Sequence, residues 1–78
     1  RLIRMQDESV DIANKVRGVA AEKRVSQERI ASILGISLGS VNARMNGKVP
    51  FSSVDLLRLS RAFDVEVGAF FPVRERVA

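Results

Sequence analysis

The chain has 78 residues, 46% hydrophobic and 28% charged, with a formal net charge of +4. That is enough for one compact domain; it describes neither a disordered tail nor a bilayer-spanning segment, and no secretory signal is present. With no Cys and no His, disulfides, Cys/His zinc sites, thiol nucleophiles and imidazole bases are excluded.

The first helix is predicted at about residues 7–24, where Ile12, Val16, Val19 and Ala20 recur at helical spacing. Nothing before Asp7 breaks a helix, so Leu2, Ile3 and Met5 allow an earlier start. The next three helices share one start signal. Ser26 stands between Val25 and Ile30, Ser37 between Ile36 and Val41, and Ser52 between Phe51 and Leu56. Each serine is an N-cap candidate, and the flanking apolar pair fits a hydrophobic staple that sets the entry angle of the chain. Asp55 adds a capping-box partner to the last of the three.

Helix two follows at about 27–34, burying Ile30, Ala31 and Leu34, and Gly35 suits a left-handed stop. Helix three opens at Ser37, so the connection is short enough to force a steep crossing, with Ala31 small enough to let the two helices meet. A helix-turn-helix over about 26–47 is the result. At about 100° per residue, Leu38, Val41 and Met45 fall on the core side of helix three, and Gly39, Ser40 and Ala43 point outward. Pro50 limits its extension. Helix four is placed at about 53–63, burying Leu56, Leu59 and Phe63; a last short helix at about 67–71 stops at Pro72, and 72–78 are read as frayed.

Charge is distributed unevenly. All nine acidic residues lie outside 35–50, which keeps Arg44 and Lys48, as a phosphate-facing surface requires. The acids elsewhere, such as Asp7, Asp11 and Glu22, are scattered among Lys and Arg, and no Gly-rich phosphate loop is present. The chain is expected not to be an enzyme and to need no cofactor or metal.

The run Gln27-Glu28-Arg29-Ile30-Ala31, with Leu34-Gly35-Ile36-Ser37, Val41 and Asn46-Gly47-Lys48, resembles the phage-repressor (Cro/C1-type) helix-turn-helix family. Pro50-Phe51-Ser52 through Phe63-Asp64-Val65 is similar to its fourth helix in actinobacterial and actinophage versions, and the likeness covers about 16–71. It implies an all-α compact bundle of about five short helices, of the lambda-repressor-like DNA-binding type. The helix at about 38–46 would enter the major groove. Leu38, Gly39, Ser40 and Ala43 would face bases. Gln27, Ser37, Asn42, Arg44, Asn46, Lys48, Ser52 and Ser53 would lie on phosphate or along the groove edge. Of these, Lys48 would act together with the helix-four N–H groups behind Ser52 and Ser53.

Two departures stand out. Leu38 and Gly39 replace the Gln, Arg or Asn that the family often uses for bidentate base contacts, which shifts specificity toward DNA shape. Arg44 takes a position often held by a packed aliphatic residue, and is expected along the helix edge toward phosphate or guanine.

The expected function is sequence-specific binding of a double-stranded DNA operator by a transcriptional regulator, a phage or prophage-type repressor in the bacterial cytoplasm. Alternatives are an antitoxin of the same fold, which binds DNA and a toxin, and a helix-turn-helix protein-interaction module. No membrane or small-molecule partner is expected. Phe70, Phe71 and Val73 either form a small homodimer patch or close the core; a chain this short, with four Phe, favours the second and a monomeric isolated domain.

Overall fold

Four serine- or backbone-bounded segments coil into α-helices in the computed structural model, which describes residues 5–72, with side chains described from Glu8 onward. The helices are α1 Met5–Lys23, α2 Gln27–Leu34, α3 Leu38–Met45 and α4 Ser53–Phe63, followed by a 3₁₀ turn, Val67–Phe70. There is no strand among the described residues. The expected fifth helix is therefore a single 3₁₀ turn, one residue shorter than anticipated. Leu2, Ile3 and the tail beyond Pro72 lie outside the described residues.

The helix starts follow from the three serines. Ser26, Ser37 and Ser52 each have extended backbone. Their hydroxyls accept from the N–H groups of Arg29 at 3.1 Å, Ser40 at 3.1 Å and Asp55 at 3.0 Å. Each cap contributes about 1 kcal/mol. At α4 the Asp55 carboxylate also accepts from the Ser52 N–H at 3.1 Å, which completes a capping box.

The helix stops are equally regular. Val25 donates to the Ala20 carbonyl at 2.9 Å, Ile36 to Ala31 at 3.1 Å, Lys48 to Ala43 at 2.9 Å and Val65 to Ser60 at 3.0 Å. This is the six-to-one bond of a Schellman turn, which satisfies carbonyls that the helix leaves open. Each turn needs a left-handed residue: Arg24 (φ 60°), Gly35 (φ 70°), Gly47 (φ 77°) and Asp64 (φ 59°).

Val16 and Ala20 of α1, Ile30 and Leu34 of α2, Val41 and Met45 of α3, and Leu56, Leu59 and Phe63 of α4 meet in one core. Phe70 is wholly buried in it, edge-to-face with Phe63 at 6.1 Å between ring centres, a geometry worth about 0.5–1.5 kcal/mol beyond area. Of the expected core residues, Ile12, Val19 and Ala31 are half-buried against this cluster, and Ala13, not anticipated, is inside it. Leu38 corrects the periodicity: it is 43% exposed. Val41 and Met45 alone fill the buried side of α3.

The backbone of α3 rests on α1 and α2 alone; among the described residues no Cα of α3 comes within 8 Å of one in α4. Nor is any described helix long and apolar enough to cross a membrane.

Candidate nucleic-acid interface

The capped start of α3 presents Ser37, Leu38 and Gly39 to solvent, and Asn42 and Asn46 continue that exposed strip. Ser40 and Ala43 are half-buried rather than fully outward. Ser40 is held by the cap, since the Ser37 hydroxyl donates to its Oγ at 3.1 Å. Its own proton is left for another acceptor. Ala43 is partly covered because the chain folds back over it: Lys48 and Val49 both donate to its carbonyl, at 2.9 and 3.3 Å.

Gly39 has no structural task. A β-carbon there would meet only the Ser37 Oγ, at 3.9 Å, and its φ is not in the left-handed range. Glycine inside a helix costs about 1 kcal/mol relative to Ala, so this bare exposed position weakens a helix of eight residues without a packing gain. What it offers is a surface that another backbone or a base edge can approach closely.

The groove-edge residues divide. Gln27 is exposed at the first position of α2, and Asn46 and Lys48 are exposed at the exit of α3, where the left-handed Gly47 turns the chain. Arg24 and Arg29, two further exposed cations, line an open groove of about 400 Å³ with Ser26 and Phe63. Ser52 and Ser53 are exposed, but both the N–H and the hydroxyl of Ser52 are taken by the capping box. A carboxylate already occupies the anion-attracting start of α4.

Arg44 lies elsewhere than expected. Its Nη1 donates to the Ser40 carbonyl at 3.1 Å, and its Nε stands 3.4 Å from Asp55 Oδ2. The side chain is 22% exposed, with its cationic group turned toward α4. The acid-free window of the linear sequence is thus not acid-free in space. Asp55 is the neighbour that sequence reasoning missed. Its signal was present in two halves, a capping aspartate at N3 and an arginine in a place suited to an aliphatic residue.

One family, described as the BetR domain, matches residues 8–76. No curated protein and no solved structure matches significantly. Nothing in these comparisons supports the phage-repressor family or an actinobacterial source.

Proposed function

The chain belongs to the BetR domain family, a small helical domain of DNA-binding regulators, and from that premise we propose that it binds double-stranded DNA sequence-specifically, with α3 in the major groove. The observation that carries the proposal is the outer face of α3: short side chains around an exposed Gly39 that the fold does not need, on a segment without acids. Gly39 gives close approach, Ser40 a donor, and Leu38 an apolar contact for a thymine methyl. Gln27, Asn46 and Lys48 hold the flanking phosphates, a division of labour in which phosphate contacts fix register and base contacts specify.

The regulator is read as a lambda-repressor-like transcriptional repressor that occludes its operator in the bacterial cytoplasm. It acts through one half-site per domain. Phe70 closes the core, whereas Phe71, 45% exposed, does not close it as expected and stays available to the alternative reading, a small homodimer patch. Selection of duplexes from a randomised pool, followed by a gel shift against a scrambled duplex, tests this directly. Preference for the selected duplex is expected. A chain that retains no duplex even at low salt sinks the proposal.

A further inference from the structure

We propose that Arg44 is a strut between α3 and α4 rather than a phosphate contact, and that Asp55 positions the recognition face through it. The inference rests on the DNA-binding role of α3. The backbones of α3 and α4 do not touch, so the C-terminal half of α3 has no backbone packing on that flank. Arg44 spans the gap: one end of its guanidinium holds the Ser40 carbonyl, and Nε faces Asp55.

Three observations make the strut specific. The Asp55 side chain is only 16% exposed, and its Oδ2 is fixed by the Ser52 N–H, so the carboxylate cannot follow Arg44 if Arg44 moves. Arg44 Nε is buried and has no hydrogen-bond partner among the described residues, so the Asp55 carboxylate 3.4 Å away faces it as a charge. Drawing the guanidinium out to a phosphate would leave a half-buried carboxylate without its cation, and breaking one side of such a pair is costly. The Ser40 carbonyl, finally, belongs to the turn that carries Gly39 and Ala43, the face assigned to the bases.

The consequence runs against net charge. Asp55→Asn keeps a capping acceptor at N3 and makes the protein more positive, which by electrostatics alone tightens DNA binding. A positioning role demands the opposite. The experiment compares wild type, R44M, D55N and the double variant, against a selected duplex and a scrambled duplex, across a salt series. Amide exchange of 41–45 and thermal midpoints are followed in parallel.

The expected result is that R44M and D55N each weaken the selected duplex about tenfold. The double variant should be no worse than the poorer single, the signature of one shared interaction. R44M should keep the wild-type salt slope, and exchange in 41–45 should quicken in D55N. A salt slope that drops by about 0.9 in R44M, with tighter binding by D55N, would make Arg44 a phosphate contact and overturn the proposal. Lower midpoints with unchanged affinity would also overturn it, leaving the pair as stability alone. Should D55N fail to fold, R44K, which keeps charge but loses the guanidinium fork, carries the same comparison. A wild-type chain that binds no duplex overturns the DNA-binding role itself; unchanged exchange in D55N or R44K would then overturn the strut as well, and quickened exchange would uphold it.

Discussion

A β-carbon placed on Gly47 would lie 2.6 Å from Val10 Cγ2 and 3.0 Å from the Val10 Cα. The exit of α3 is therefore pressed against the backbone of α1, and Gly47 is needed for room as well as for its φ of 77°. Gly35 has a similar φ of 70° but open space around it. Gly35→Ala should cost about 1–2 kcal/mol, the left-handed penalty alone. Gly47→Ala adds overpacking and should cost about 2–5 kcal/mol. Urea unfolding of the two variants checks this; equal losses would mean that α1 and the α3 exit do not meet so closely.

Arg24 and Asp64 occupy the same left-handed position without being glycine, at φ 60° and 59°. Arg24→Gly relieves a penalty of about 1–2 kcal/mol and gives back part of it as unfolded-chain entropy, so a net gain of about 0.5–1 kcal/mol is expected. Asp64→Gly should gain less, because Asp tolerates this region better than Arg. Both appear as raised thermal midpoints. A loss of stability in Arg24→Gly would show that its side chain contributes more than its backbone strain costs.

Gly18 and Gly39 form a matched pair, one on α1 and one on α3, both exposed and both with room for a methyl group. Each Gly→Ala change should stabilise the fold by about 1 kcal/mol. Gly18→Ala should leave DNA affinity alone, whereas Gly39→Ala should weaken it at least severalfold by holding α3 off the base edges. Equal affinity in the two variants, read by fluorescence anisotropy, would rule out close approach to DNA as the reason for an exposed glycine in α3.

Lys48 is exposed at the exit of α3, and among the described residues only its backbone is engaged. Lys48→Ala should weaken selected and scrambled duplexes alike and reduce the salt slope by about 0.9, one phosphate's worth. An unchanged slope would take Lys48 out of the interface.

What could be read from the sequence were features carried by single residues acting locally. The three serine caps and the Gly35 stop announce themselves because a hydroxyl or a missing β-carbon has one obvious use at a helix end. The stops at Arg24 and Asp64 did not, since neither residue type prefers a left-handed backbone enough to signal it; the six-to-one bonds to Ala20 and Ser60 impose it. Leu38 was misplaced by periodicity because an angular count treats every turn of a helix alike, and Leu38 is the first residue of α3. The Arg44–Asp55 pair was legible only as two separate halves, because it joins two elements through side chains across a gap in the backbone packing. The exposed strip from Ser37 to Asn46 was anticipated more fully, with Ser40 and Ala43 more covered than expected.

The serine caps and Schellman turns also bear on how fast the chain folds. The starts of α2, α3 and α4 are each closed by a bond from a residue three positions on, and the four α-helix stops by one reaching back five. Helix limits can thus be established within each segment before any distant part of the chain arrives. Loop-closure entropy falls on the packing that follows, of α1 on α3, of α2 on α4, and of the 3₁₀ turn with its Phe70 on α1. A helical domain whose helix limits are set this locally belongs to the microsecond-to-millisecond class of folders, and a Phe70 that docks after the helices predicts a folding rate less sensitive to changes at Phe70 than the unfolding rate.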